Sequence, residues 1–189
     1  LKFLVAKSLN VAEEYAVLVG GEVVLKPSGG IEPYTLSILP VSCANQLSLA
    51  EKKTSCGEVI REQVKPGVYT YKYKAATNPN EIYIALTDGV SIKEPIILLV
   101  HVVKPVEIEP KTKAMIIGRS ININGLYGLK PYTYKITAGS ENGDLVEIPG
   151  STAVELKAKG LGTMKITVQD KMGNTADASI EVKDELKIY

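Results

Sequence analysis

Two stretches of the sequence decide the fold, because one is a diverged copy of the other. Residues 17–38 read VLVGGEVVLKPSGGIEPYTLSI, and residues 115–136 read MIIGRSININGLYGLKPYTYKI. They align without a gap, and six of the 22 positions are identical. The identical pairs are Gly20 with Gly118, Gly30 with Gly128, Pro33 with Pro131, Tyr34 with Tyr132, Thr35 with Thr133 and Ile38 with Ile136. The chain therefore contains an internal repeat.

The repeat continues to the end of each copy. The sequence that begins at Ala85 lies over the sequence that begins at Thr167. The matched positions include Asp88 with Asp170 and Leu98 with Ile180. The repeating unit is thus about 80 to 100 residues long, whereas solenoid units are about 20 to 50. A unit of that size is a whole domain, so we predict two domains of one fold.

The boundary between the domains is predicted near Lys104 and Pro105. The apolar run that ends at Val103 stops there, and a proline cannot continue a strand ladder. We assign the first domain to residues 8–103 and the second to residues 104–189. The total of 189 residues suits two small domains.

The second domain shows a series of short apolar–polar alternations, which are typical of strands. Two Asn-Gly pairs, at Asn124-Gly125 and Asn142-Gly143, predict hairpin turns between strands. No segment shows helical periodicity over a useful length. The predicted strands are residues 106–108, 114–117, 120–124, 132–137, 145–148, 153–158, 162–169 and 176–183. Seven or eight strands at this spacing predict an all-β chain of two tandem immunoglobulin-like β-sandwiches.

Two motifs also carry a resemblance to a known family. They are the G-x-x-P-Y-T segments at Gly30 and Gly128 and the run GTMKITVQDKMGNTA that begins at Gly162. In these the chain resembles the immunoglobulin-like repeats of bacterial and archaeal surface proteins. The Cys-Trp-Cys core of antibody domains is absent, since there is no Trp. The resemblance implies spacers, stalks, lattice or filament subunits and adhesive modules.

The distribution of charges and the length of the apolar runs argue against binding to nucleic acid and against a membrane span. The 22 basic and 21 acidic residues are interspersed, so no basic patch for nucleic acid is expected. The longest apolar run, residues 96–100, is too short to span a bilayer. We expect no nucleic acid partner and no membrane span in this segment.

Catalytic and metal sites are not expected. The single histidine, His101, lies in an apolar strand, where a structural role is the simpler interpretation. One histidine and two separated cysteines cannot form an imidazole or thiolate metal shell. Asp88 and Asp170 precede turn residues, which suggests either loop oxygens for calcium or, more simply, aspartates that open turns. We predict a chain that is not an enzyme and needs no cofactor.

The two cysteines, Cys43 and Cys56, lie in a polar stretch and do not form a C-x-x-C motif. We predict that they form a disulfide, with two free thiols as the alternative. A bridge over a loop of this length stabilises a domain by about 3 kcal/mol in the chain-entropy model. It would also indicate an oxidising, extracellular compartment.

The segment PGVYTYKYKA places Tyr69, Tyr71 and Tyr73 on one face of a strand. If exposed, such a stripe would stack on sugar rings or pack against a protein partner. The alternative is that the stripe forms the core side of the strand, in a chain with one Phe and no Trp.

Residues 1–7 precede the first strand that the repeat aligns, so they form an apolar overhang. Alternation puts Leu1, Phe3 and Val5 on one face. One interpretation is that this strand pairs with the open sheet edge of another subunit or neighbouring domain. The other is that it is the last strand of a preceding domain in a longer array.

Together these features predict a function without catalysis. The expected role is an extracellular structural or adhesive module at the cell surface, such as a stalk, surface-layer or filament subunit. The alternative is a carbohydrate- or protein-binding module of a larger secreted or surface protein. Expected partners are other subunits joined by strand-edge pairing, and a cell-surface protein or glycan.

Overall fold

Two compact units make up the chain, and they divide between Lys104 and Pro105. The computed structural model describes residues 8–42, 55–89 and 94–184. Strands form the framework of both units, as the sequence predicts, and short 3-10 turns occur at Pro40–Ser42 and Ser140–Asn142. We refer to the units as domain 1 and domain 2 and describe each by itself.

Domain 1 is a sandwich of two sheets. Its strands are β1 (Glu14–Leu18), β2 (Glu22–Leu25), β3 (Thr35–Ile38), β4 (Glu58–Lys65), β5 (Val68–Lys74), β6 (Asn80–Thr87) and β7 (Ile96–Val103). One sheet has the order β1-β7-β6-β3 and the other β2-β5-β4. β1 runs parallel to β7, and the remaining pairs are antiparallel.

Domain 2 repeats this arrangement, with eight strands in its described residues where those of domain 1 have seven. Its strands are β8 (Glu107–Glu109), β9 (Thr112–Ile116), β10 (Ser120–Leu126), β11 (Thr133–Ala138), β12 (Gly143–Glu147), β13 (Val154–Ala158), β14 (Gly162–Gln169) and β15 (Thr175–Lys183). The sheets have the orders β12-β13-β10-β8 and β11-β14-β15-β9. This is the four-plus-four layout of an immunoglobulin-like sandwich whose first strand is divided between both sheets.

Alternation along the strands builds each core. In β14, Met164, Ile166 and Val168 are fully buried, while the residues between them face outward. In domain 1, β7 buries alternate residues in the same way, and β6 buries Ile82, Ile84 and Leu86 fully, with Ala85 8% exposed between the last two. Ile84 lies directly opposite Leu98. Burying each such side chain stabilises the fold by about 1.5 to 3 kcal/mol before ordering costs.

The repeated G-x-x-P-Y-T segment forms the same corner in both domains. Gly30 and Gly128 have φ of 59° and 57°. A Cβ atom there would lie 2.6 Å from Asp88 Oδ2 or 2.8 Å from Asp170 Oδ2, so only glycine fits. The tyrosine that follows donates its hydroxyl proton to the backbone, Tyr34 to the carbonyl of Gly29 at 2.5 Å. The strongest sequence repeat therefore encodes a structural corner.

Both predicted Asn-Gly hairpin turns are wrong. Gly125 lies inside β10 and pairs with Ile108. Because glycine has no Cβ atom, the ring of Tyr132 can pack directly against the backbone of Gly125. A Cβ atom at position 125 would lie 2.7 Å from this ring, which is too close. Asn142 ends a 3-10 turn and Gly143 begins β12 with extended φ of -173°. An Asn-Gly pair does not by itself show whether the glycine forms a turn or lies in a strand to make room for a neighbouring side chain.

The predicted match of Leu98 with Ile180 is also wrong. Leu98 lies opposite Ile84 and Ala178 lies opposite Ile166, so Leu98 is equivalent to Ala178. The connection that precedes β7 is two residues longer than the one that precedes β15. A gapless alignment cannot detect that difference, because both strands alternate with the same period.

Candidate interaction surfaces

The tyrosine stripe is divided between the core and the surface. Tyr69, Tyr71 and Tyr73 do share one face of β5. Tyr71 is 3% exposed and Tyr73 is 0% exposed, so the core alternative holds for both. Neither ring offers a face to a sugar or a partner, and a contact role is ruled out for these two residues because the opposite sheet covers them.

Hydrogen bonds fix the two buried tyrosines in place. The amide of Tyr34 donates to the hydroxyl oxygen of Tyr71 at 2.9 Å, and the two ring centroids are 5.5 Å apart. Tyr73 donates its hydroxyl proton to the carbonyl of Cys56 at 2.7 Å. Burial raises the pKa of Tyr73 to about 12. Their hydroxyls therefore satisfy backbone groups that the sandwich would otherwise leave unpaired.

Tyr69 lies nearer the open end of the same strand and is half-buried. The guanidinium of Arg61 lies 5.0 Å from its ring centroid, which is within cation–π range. Beyond them Val64 is 61% exposed and Val68 is 51% exposed at the end of the β4–β5 hairpin. A partner contact through Tyr69 stays a prediction.

Two predicted sites involve residues outside the described ranges. Leu1, Phe3 and Val5 all lie there, so their pairing with a strand edge stays a prediction. Cys43 also lies there, whereas Cys56 is 1% exposed in the core of domain 1. Cys56 is not a free thiol. The pairing of these two cysteines stays a prediction.

Asp170 serves its turn through four hydrogen bonds. Its carboxylate accepts from the amides of Met172 and Asn174 at 2.9 Å and from the amide of Leu129 at 3.2 Å. The side-chain amide of Asn174 donates the fourth at 3.0 Å. Within the described ranges no three His, Cys, Asp or Glu side chains come together as a metal site. The turn interpretation of this aspartate is therefore the one the geometry favours.

A cleft opens along the side of domain 2, between the edge strands β11 and β12. It has a volume of about 720 Å³. Glu147 is its one charged lining residue, and Tyr132 and Tyr134 form part of its wall. The hydroxyl of Tyr134 is already engaged, since it accepts from the Gly125 amide at 2.6 Å and donates to the Thr152 carbonyl at 2.8 Å. Such a wall can pack against a ligand but offers few free polar groups to orient one.

The outer faces of equivalent sheets differ sharply between the domains. In domain 1, Tyr83 lies beside Leu99 and Ala85 beside Ile97 on the outer side of β6 and β7. Ile97 is 42% exposed. Glu81 and His101 form the next row, with Oε1 of Glu81 3.8 Å from Nδ1 of His101. We call these six residues the apolar face.

In domain 2 the same positions are polar. The equivalent rows pair Lys165 with Ser179, Thr167 with Asp177 and Thr163 with Glu181. Lys165 contacts Asp177 at 2.8 Å, and Thr167 donates to Asp177 at 2.6 Å. The sandwich itself therefore does not require apolar residues on this side.

The apolar face is a feature that the sequence analysis missed, although a signal was present. β7 reads IILLVHVV, which is apolar at nearly every position. A strand with one wet face should alternate, as β15 does. The loss of alternation in β7 alone would have identified a second apolar surface.

Within the described residues, no helix has the length and apolar character needed to cross a bilayer.

Comparison with known proteins shows the fold. A solved structure of the C-terminal 282-residue fragment of intimin, in complex with the intimin-binding domain of the translocated intimin receptor, matches with a TM-score of 0.58. The identity is 12%, and the match covers 93% of this chain and 63% of that one. The D00-D0 domain of intimin matches at 12% identity with a TM-score of 0.43, over 94% of this chain and 99% of that one. The N-terminal four Ig domains of Dscam1 isoform 8.4 match at 15% identity with a TM-score of 0.41. This match covers 95% of this chain and 47% of that one.

No protein-family model and no curated protein sequence matches the chain. The chain spans 63% of the length of the intimin fragment. At these identities the likeness concerns the fold alone, and it confirms the sequence prediction of two tandem immunoglobulin-like domains.

Proposed function

We propose that this chain is an extracellular, non-catalytic structural or adhesive module, such as part of a stalk, surface layer or filament. The observation that carries the proposal is the contrast between the two copies. The residues they share, such as Gly30 with Gly128 and Asp88 with Asp170, hold the loops and the core. The residues in which they differ include those of the outer sheet faces. A repeated scaffold with a different face on each copy suits recognition and assembly.

The likeness to the intimin fragment supports the adhesive side of the proposal. That fragment is in complex with a receptor's intimin-binding domain, so a chain of this fold is a suitable scaffold for binding another protein. The predicted disulfide between Cys43 and Cys56 would support export, because such bridges persist in oxidising compartments.

Strand-edge pairing is the assembly mode that we propose. Among the described residues the edge strands of the four sheets are β1, β2, β3, β4, β8, β9, β11 and β12. Seven of these strands carry charged residues, which discourage pairing with another chain, whereas β3 reads TLSI and carries none. β3 is thus the favoured acceptor for the strand that holds Leu1, Phe3 and Val5 of another subunit. Deleting residues 1–7 should abolish assembly through strand edges and leave domain 2 unaffected.

Localisation on the cells of the source organism tests the proposal. Antibodies raised against residues 8–184 should label intact cells, and treating intact cells with protease should remove the label. A cytoplasmic protein probed in the same cells is the control, because it should be labelled only after permeabilisation. If this chain is labelled only after permeabilisation as well, the extracellular role is wrong.

A further inference from the structure

We propose that domain 1 binds a second copy of this chain through the apolar face, defined above as Glu81, Tyr83, Ala85, Ile97, Leu99 and His101. The inference goes beyond the proposed function and does not depend on where the protein resides. It rests on three observations: the apolar character of the face, its polar counterpart in domain 2, and the order of residues along its two central strands.

The first observation is that four of these six side chains are apolar although they lie on the outer side of the sheet. Ile97 is 42% exposed, Tyr83 and Leu99 are half-buried, and Ala85 is 8% exposed. Ile82, Ile84 and Leu86 of β6 already face inward and are fully buried, as Leu98 and Val100 of β7 are. The residues between them therefore point away from the core. A strand pair at the surface of a sandwich needs only one apolar face, the one that packs in the core. A second apolar face that is bordered by polar residues is typical of an interaction site.

The second observation is the internal control that the repeat supplies. Domain 2 has the same strands in the same register, with Lys165, Thr167 and Asp177 at the positions of Tyr83, Ala85 and Ile97. A polar face is thus compatible with this sandwich. The apolar residues in domain 1 add a property that the fold does not demand.

The third observation identifies the occupant. Each of the three rows joins one residue of β6 to one residue of β7: Glu81 to His101, Tyr83 to Leu99, and Ala85 to Ile97. A two-fold axis parallel to the strands, between β6 and β7, places β6 of one copy over β7 of the other. Each row then meets itself in reverse, so that Glu81 lies opposite the imidazole of His101 and apolar side chains lie opposite apolar side chains.

Such a pairing is isologous, because the same patch serves both subunits, and it closes after two copies. Sheets that pack face to face in this way align within about 30° of each other. The face carries the carboxylate of Glu81 and the imidazole of His101 side by side. In a second copy these two groups meet their complements, whereas a partner whose rim carries charges of one sign would complement only one of them. A centre of four apolar residues is small, so we expect a dissociation constant of about 1 to 100 µM.

Sedimentation velocity on the full chain, over a range of about 1 to 300 µM, tests the pairing. The wild-type chain should shift from monomer to dimer. The variant Ile97→Asp with Leu99→Ser carries the residues of the equivalent positions in domain 2. In a chain that lacks residues 1–7, where strand-edge assembly cannot contribute, this variant should remain monomeric throughout. The control Val64→Asp changes an equally apolar and more exposed residue elsewhere in domain 1 and should dimerise normally.

Charge substitutions test the two-fold arrangement itself. His101→Glu places carboxylates opposite each other and should weaken the dimer at least tenfold. The double swap Glu81→His with His101→Glu restores opposite groups in each row and should recover most of the affinity. A chain that lacks residues 1–7 should still dimerise, which separates this surface from the proposed strand pairing.

Two results would overturn the inference. The wild-type chain could stay monomeric at the highest concentration, or the Ile97→Asp with Leu99→Ser variant could dimerise like the wild type. If the wild-type chain is monomeric and this variant also lowers the melting temperature of domain 1, a segment of the same chain covers the face. Circular dichroism of each variant confirms that it is folded before sedimentation is interpreted.

Discussion

Asp170→Ala should destabilise domain 2 selectively. The carboxylate is 5% exposed and accepts four hydrogen bonds, three of them from backbone amides. Each buried amide left without a partner costs about 1 to 3 kcal/mol, although water can reach part of this turn. We therefore expect a loss of about 3 kcal/mol in the free energy of unfolding of domain 2. A domain of this size has about 4 to 13 kcal/mol in total, so the loss is a large share.

Differential scanning calorimetry of the full chain measures this effect. The domain 2 transition should fall by about 12 to 24 °C, since about 1 kcal/mol corresponds to about 4 to 8 °C in a domain of this length. The domain 1 transition should not move. Asp177→Ala is the matched control, because Asp177 is an exposed aspartate of the same domain paired with Lys165. It should cost less than about 1 kcal/mol.

Two results would refute this reasoning. If Asp170→Ala and Asp177→Ala shift the domain 2 transition equally, the hydrogen bonds of Asp170 do not hold the corner. If the domain 1 transition falls together with that of domain 2, the two sandwiches do not unfold as separate units.

Three further predictions concern domain 1. Tyr71→Phe leaves the amide of Tyr34 without its acceptor and should lower the free energy of unfolding by about 1 to 3 kcal/mol, measured by urea denaturation; an unchanged midpoint would show that the amide finds another partner. Burial raises the pKa of Tyr73 to about 12 in the folded state, so its stabilising contribution is fully present below about pH 10. About 3 kcal/mol of this contribution is lost as the pH rises to about 12. Tyr73→Phe should remove this part of the pH dependence, and identical alkaline profiles for both proteins would contradict it. Mass spectrometry of non-reduced protein from its native host should show Cys43 joined to Cys56, and two alkylated thiols would rule out the bridge.

The sequence predicted the fold well where alternation is clean. Residues 162–169 were predicted as a strand and form β14 with those bounds, because each apolar residue there has a polar neighbour. The repeat predicted two copies of one fold because its glycines, prolines and tyrosines form the same corner in each domain. Alternation and turn residues can be recognised in a single sequence, because they depend only on residues that are close together in the chain.

Features that depend on packing between distant residues were harder to predict. Gly125 reads as a turn residue, but its role is to admit the ring of Tyr132. The stripe of β5 could be interpreted as surface or core, and only the facing sheet decides that Tyr71 and Tyr73 are buried. The apolar face needs the register of β6 against β7, because its rows join residues that are 12 to 20 positions apart in the sequence, such as Tyr83 and Leu99.

The most direct test of the central claim is the behaviour of domain 2 by itself. Residues 104–189 contain the eight described strands of the second sandwich, its own core and its own corner at Gly128. Expressed alone, this fragment should give the circular dichroism of a β-protein and unfold in one cooperative transition. An unfolded fragment would contradict the account of this chain as two independent immunoglobulin-like modules.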